Sequence, residues 1–314
     1  MTSAAAALPP RPRVSFLASA FHARPGLPLF LLLLPPLLWF GTVYLGSLLA
    51  LVMQSIYTVD DYTGAIVRVP SLATLRALVS QPANLDIVLR TLTMAFVVTV
   101  ASVVVAFPLA YYMARYARGK LRTALYVAVM TPMWTSYLVK VYAWRLLLAK
   151  EGILSWCFER LHLTPLVDQV LAVPIIGGPS LASSYVGMSI VFVYMWLPFV
   201  ILPIEASLQR VPLALVEASS DLGATPRQTF WHVVLPLAVP GIAAGSVFAF
   251  SLTMGDYVIP QVVGAPGYFI GMMVYEQQGT AGNLPLAAAF SIVPMLLISV
   301  YLALAKRLGA FDAH

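Results

Sequence analysis

The chain has 314 residues, of which 61% are apolar and only 10% are charged. A soluble domain is about 45–50% apolar and about 25% charged, so an ordinary cytosolic globule, a disordered chain and a disulfide-stapled secreted domain are all excluded. The formal net charge of +6 fits cytoplasmic loops of a membrane protein better than a nucleic-acid-binding surface.

A helix that crosses the hydrocarbon core needs about 20 mainly apolar residues. Six stretches qualify, from about Leu27 to Gln54, Ile87 to Met113, Leu121 to Ala149, Ala182 to Leu208, Pro236 to Pro260 and Leu284 to Leu304. The pair Pro35-Pro36 predicts a kink in the first. That first run follows Arg11, Arg13 and Arg24 and has no A-x-A site after it. It is roughly twice as long as a signal-peptide core, so it reads as a retained span.

Lysine and arginine set the orientation. One side gathers Arg11, Arg13, Arg24, Arg115, Arg118, Lys120, Arg122, Arg210, Arg227, Lys306 and Arg307. The other holds Arg68, Arg76, Lys150 and Arg160, diluted by seven carboxylates that include Asp60, Glu151 and Asp168. The expected fold is therefore an all-α integral membrane protein with six transmembrane helices and both termini cytoplasmic. Residues 1–26 form an N-terminal cytoplasmic segment and 27–84 the first span with its outer loop. A core of five spans covers 85–307, and 308–314 is a cytoplasmic tail.

The outer loops are then Ile56 to Leu85, Lys150 to Leu181 and Gln261 to Asn283. Asp60-Asp61 reads as a solvated turn. The patch Val170 to Ile176 is broken by Pro174 and too short to span, and packing against helix ends is expected of it. Cys157 is the single cysteine and has no internal partner. The histidines His22, His162, His232 and His314 show no metal-ligand spacing. No catalytic residue, metal site or cofactor is expected.

The inner loop from Val211 to Gly241 is the informative segment. Pro212 suits a first helical turn. Leu215, Val216 and Leu222 interleave with Glu217, Ser220 and Asp221. Gly223 stands where a helix ends in the left-handed conformation. Thr225-Pro226-Arg227-Gln228 reads as a second start, with Thr225 as N-cap and Gln228 as its capping-box partner. A short helix should run to Val234, with Leu235-Pro236 stopping it and starting span five. Two short helices joined at a glycine form a rigid elbow. Such an elbow either docks another protein or stays on its own chain as a surface hairpin.

This segment resembles the EAA loop of permease subunits from ATP-binding-cassette (ABC) importers. That pattern is Glu-Ala-Ala, three residues, Gly, nine residues, Ile, one residue, Leu-Pro. Here Glu217, Ala218 and Ser219 stand at the triplet, then Gly223, Val233, Leu235 and Pro236. Two positions depart from it, Ser219 for alanine and Val233 for isoleucine. From about Leu85 to Arg307 the chain looks like the common MetI-like permease core. Thr131 to Trp144, Leu222 to Pro236 and Met254 to Gly264 look like its spermidine/putrescine branch.

The resemblance implies an ATP-driven importer in which 211–236 couples the spans to a separate cytoplasmic ATPase dimer. Glu217, Ala218, Ser219, Gly223, Leu235 and Pro236 would carry that coupling. It also implies a second, similar permease subunit and an extracytoplasmic substrate-binding protein, all working at a lipid bilayer with no nucleic acid involved. The chain has no G-x-x-x-x-G-K-[ST] sequence, so ATP hydrolysis falls to the partner.

Ionisable residues at membrane depth are costly and need a role or a partner. Arg145 can snorkel outward and Glu205 toward the cytoplasmic surface. Lys140 and Asp256 either pair with each other or a neighbouring subunit, or Asp256 contacts a cationic substrate. A polyamine suits carboxylates and aromatic faces, which adds Tyr257, Trp134 and Tyr137 as candidates for the substrate path. Trp134, Tyr137 and Val141 share one stripe of an unbroken helix. Lys140 facing that path would oppose a cation. An opine, an amino-acid derivative or another organic cation is the alternative cargo. An ion-coupled secondary carrier is the alternative class, and it predicts inverted repeats that the sequence does not display.

Overall fold

The computed structural model describes residues 26–307, apart from Asp61 and Ile175. Arg11, Arg13, Arg24, His22 and His314 lie outside the described residues. So do nearly all of segment 1–26 and the tail 308–314. The chain divides into two units, residues 1–53 and residues 54–314.

The first unit carries one helical rod. Helix α1 (Gly26–Trp39) passes through Pro35 and Pro36 without ending. It loosens into π winding over Phe40–Leu45 and resumes as α2 (Gly46–Ser55), whose last residues cross the unit boundary. Thr42 Oγ1 donates to the Leu38 carbonyl at 2.6 Å. Leu32 and Trp39 are 74% and 71% exposed. A rod that is apolar all round fits lipid as its solvent.

The second unit begins with a small hairpin, β1 (Thr58–Val59) against β2 (Ile66–Val67), antiparallel with Thr58 opposite Val67. Its turn is held by Asp60, whose Oδ1 accepts from the Tyr62 and Thr63 amides at 3.0 and 2.8 Å. This is the solvated turn expected at Asp60. Helix α3 (Ala73–Ser80) leads into the long α4 (Pro82–Arg115). Then come α5 (Gly119–Trp134), α6 (Tyr137–Leu147), α7 (Ile153–Arg160) and α8 (Thr164–Leu171). Next are α9 (Tyr185–Gln209), α10 (Leu213–Asp221), α11 (Pro226–Thr229) and α12 (Leu235–Gly255). Helices α13 (Val258–Val262), α14 (Ile270–Gly279) and α15 (Leu284–Arg307) complete the order.

Three helices make the centre, with α9 packed on α4 and α12, and α12 on α4. Val98, Ala106 and Met113 of α4, Phe192, Ile201 and Ile204 of α9, and Ala238 and Ala249 of α12 are buried there. Small residues let α12 approach α9. A Cβ at Gly241 would lie 2.4 Å from Ser207 Cβ and 2.5 Å from the Pro203 carbonyl, and one at Gly245 would lie 3.0 Å from the Val200 carbonyl. Their spacing of four is that of membrane-helix contacts built on small residues. A second cluster joins Phe250 and Met254 to Ile270, Ala289 and Phe290.

Among the described residues, five helices are individually long and apolar enough to cross a membrane. The third expected stretch, Leu121 to Ala149, is two helices rather than one. Thr135 is extended, with ψ of 144°, and Ser136 is also non-helical, with ψ of 131°. The reason is local: Thr135 Oγ1 bonds to the Thr131 carbonyl at 3.5 Å, and Ser and Thr side chains compete in this way with helical backbone bonding. This break removes the expected common stripe, because Trp134 ends α5 while Tyr137 and Val141 belong to α6. The segment before α9, expected as an outer loop, is also more ordered than a connector, since it contains α7 and α8. Leu171 packs on the main core, while Val170 and Val173 stay exposed.

Candidate functional site

The elbow is built by local rules. Helix α10 ends at Asp221, and Gly223 follows with φ of +83°. The Gly223 amide donates to the Ser220 carbonyl at 2.9 Å, and the Ala224 amide to the Ser219 carbonyl at 3.1 Å. This double bond pattern is a Schellman motif, which satisfies helix-end carbonyls and calls for a left-handed residue. Thr225 and Gln228 then form a reciprocal capping box around Pro226. Ser219 Oγ lies 2.8 Å from Thr229 Oγ1, so a hydrogen bond joins the two arms. An alanine at 219, as in the family pattern, has no such bond to offer.

The second arm differs from expectation. Leu235-Pro236 does not stop it. Helix α11 runs through π winding over Phe230–Val234 straight into α12, and 226–255 reads as one span of 30 residues. Pro236 has no N–H for the preceding turn, and a wider turn accommodates that loss. Phe230 stands edge-on to Phe107 and Tyr111 of α4, with centroids 5.8 and 6.0 Å away. The second arm is thereby continuous with α12 and packed on α4.

Glu217 and Ala218 are exposed, Ser219 and Leu235 are half-buried, and Pro236 is exposed. Leu222, beside the turn, is 89% exposed, and Leu213 and Trp231 are 66% and 55% exposed.

The second constellation lies at the other end of α12, about 30 Å along the helix from Leu235 at 1.5 Å per residue. Asp256 follows Gly255 in extended conformation, with φ of −76° and ψ of 134°. Its Oδ1 accepts from the Ile259 amide at 2.8 Å, which caps the start of α13. Tyr137, the first residue of α6, donates its hydroxyl to Oδ2. Two helix breaks thus meet at one carboxylate. The Tyr137 ring stacks on Trp196, with centroids 6.3 Å apart and planes 14° apart. Trp196 is buried, and its indole N–H has no hydrogen-bond partner among the described residues.

Two candidates stand apart from this cluster. Tyr257 turns to stack on Tyr275 at 4.9 Å. Trp134 is 89% exposed. The suggested pair of Lys140 with Asp256 is not formed. Lys140 Nζ donates to the Pro132 carbonyl at 2.7 Å. A cation there satisfies a carbonyl freed at the end of α5 and complements its dipole. Glu205 does not snorkel to a surface either. Its side chain is 4% exposed and bonds to Arg122, Tyr126 and Gln209. Trp196, Phe230 and the partners of Glu205 carry no motif of their own. A carboxylate in an apolar span is the only signal that points toward any of them.

A family model described as "Binding-protein-dependent transport system inner membrane component" matches residues 106–310. The chain belongs to that family. The permease is 59% identical over 305 residues to the inner membrane ABC transporter permease protein YdcU of Escherichia coli (strain K12), covering 97% of each chain. It is 28% identical over 270 residues to the spermidine/putrescine transport system permease protein PotB of the same organism, covering 86% of this chain and 89% of that one. Its fold matches a solved bacterial ABC transporter involved in the import of the acidic polysaccharide alginate. There the TM-score is 0.68 at 15% identity, covering 93% of this chain and 98% of that one. The protein is a multi-pass inner-membrane permease of the ABC importer class with the MetI-like fold.

Proposed function

We propose that the permease forms half of the path of an importer for polyamines such as spermidine and putrescine, driven by a separate ATPase dimer. The observation that carries the cargo is the carboxylate of Asp256, held by Tyr137 at the meeting of two helix breaks. An ammonium group gains from a carboxylate and from an aromatic face, the latter by roughly 0.5–2 kcal/mol. Asp256, Tyr137 and Trp196 offer both. Lys140, whose charge would oppose a cation, is turned to the Pro132 carbonyl. The printed name of PotB points to the same cargo.

In this reading the elbow faces the cytoplasm. Glu217, Ala218, Ser219 and Gly223 meet the ATPase, while Leu235 and Pro236 carry its movement into α12. Segments 1–26 and 308–314 are cytoplasmic. A second permease completes the path, and an extracytoplasmic binding protein delivers the solute. The test is uptake of labelled spermidine by the assembled complex in proteoliposomes. Competition by putrescine, with none by neutral or acidic solutes, supports the reading. Import of an opine or amino-acid derivative in preference to polyamines overturns the cargo and leaves the class intact.

A further inference from the structure

Glu205 lies one turn before the end of α9, the helix from which the elbow hangs. It is 3% exposed. A buried carboxylate is stable only when paired and hydrogen-bonded. Its Oε1 accepts from Tyr126 Oη at 2.5 Å, from Arg122 at 3.3 Å and from Gln209 Nε2. Gln209 Nε2 also lies 2.8 Å from Tyr126 Oη, and the Arg122 guanidinium sits 5.7 Å from the Tyr126 ring centroid. The first two turns of α5 are thus fastened to the last two turns of α9. The same end of α9 is tied to α12, since Ser207 Oγ donates to the Leu237 carbonyl at 3.0 Å.

Helix α5 is a rod of 16 residues, about 24 Å at 1.5 Å per residue. One end is fixed at the root of the elbow. The other ends at the break, where Tyr137 reaches Asp256. A buried ion pair is weak evidence for stability, because apolar residues of similar volume serve packing as well or better. What such a network does supply is one fixed geometry between two helices.

We propose that Glu205, acting through Tyr126 and Arg122, is a positioning residue that makes α5 follow the elbow. Nucleotide-driven movement of the elbow is then carried along α5 to the break that precedes Tyr137 and its contact with Asp256. The inference rests on the importer reading above. It concerns coupling and is independent of which cargo is carried.

The test uses the full complex with its ATPase, second permease and binding protein in proteoliposomes. ATP hydrolysed per solute imported is measured for Glu205→Ala, Glu205→Gln and Tyr126→Phe. The ratio should rise about tenfold for Glu205→Ala, within the usual range of coupling between sites. Glu205→Gln, which keeps the shape and one acceptor, should recover much of the loss. Spin labels on Lys120→Cys and Leu213→Cys should keep one distance with and without trapped ATP in the otherwise unaltered complex. In Glu205→Ala that distance should split or shift. An unchanged ratio in all three variants overturns the proposal. So does a parallel fall of hydrolysis and uptake, with no rescue by glutamine, because a purely structural role predicts it. Absence of any binding-protein-stimulated hydrolysis in the unaltered complex overturns the importer reading itself.

Discussion

Tyr137 and Asp256 are 119 residues apart in sequence and meet through one hydrogen bond at the breaks of two helices. Each break exposes backbone groups that a continuous helix satisfies internally. Here Lys140 covers the Pro132 carbonyl, and Asp256 caps the Ile259 amide. The remaining oxygen of Asp256 is bonded to a phenol, a partner that a cationic ligand can share. We predict that Asp256→Asn raises the half-saturating concentration of a cationic solute by about tenfold or more. Tyr137→Phe should give a smaller rise, because it removes one hydrogen bond to the carboxylate and leaves the charge in place. Uptake at limiting solute is the measurement. Unchanged uptake in both variants would return Asp256 to a purely structural role.

Gly223 tests the elbow. Nothing lies within 4 Å of a Cβ built there, so a substitution meets only the left-handed backbone at φ of +83°. That conformation costs an ordinary residue about 1–2 kcal/mol, and asparagine or aspartate less. Gly223→Val should therefore loosen the elbow and cut uptake strongly, while Gly223→Asn keeps most of it. Gly223→Asp keeps the turn as well, so a loss of uptake there reports charge at the partner surface. Retention of the ATPase during purification separates these cases. Equal behaviour of Val and Asn would count against the Schellman turn as the working feature.

Gly241 tests the packing that holds the elbow to the bundle. A methyl group there presses on Ser207 and the Pro203 carbonyl. Overpacking of this kind costs about 1–3 kcal/mol. Gly241→Ala should lower the midpoint of thermal unfolding in detergent by several degrees. Gly255→Ala, where nothing lies within 4 Å, should leave it in place. Identical midpoints for the two variants would contradict the close approach of α9 and α12.

The β1–β2 hairpin carries a pH dependence. The amide and hydroxyl of Thr63, then the amide of Tyr62, hold the Asp60 carboxyl below its ordinary value of 3.8. A depressed pKa means that the folded hairpin favours the ionised form. The added stability is fully present above that ordinary value and is lost as pH falls through the lower folded one. Hydrogen exchange at the Thr63 amide should therefore accelerate only in that acid range, beyond the intrinsic pH trend. Asp60→Asn should show no such acid step, and an equal step in that variant would exclude the Asp60 turn as its origin.

The elbow was legible in sequence because its signals act over a few residues. Gly223, Thr225, Pro226 and Gln228 each specify their own turn of backbone. The bundle was legible as apolar length. What lay hidden depends on partners far along the chain. Glu205 meets Arg122 and Tyr126 across 83 and 79 residues, and no local pattern encodes either contact. The break at Thr135-Ser136 was masked by a surplus of apolar residues, since Leu121 to Ala149 exceeds the roughly 20 that one span requires. The continuous passage through Leu235-Pro236 was masked in the opposite way. There a proline reads as a boundary, and π winding carries the helix past it.

In the proposed importer the hairpin around Gly223 is gripped by a nucleotide-driven motor. The most direct measurement is site-directed cross-linking from Leu222→Cys, at the exposed tip, to single cysteines placed over the surface of the purified ATPase. It is run with and without trapped ATP. One discrete cross-linking patch is expected, and its position or yield should change with nucleotide. No cross-link above background at any ATPase position, in a complex that still imports solute, would contradict it.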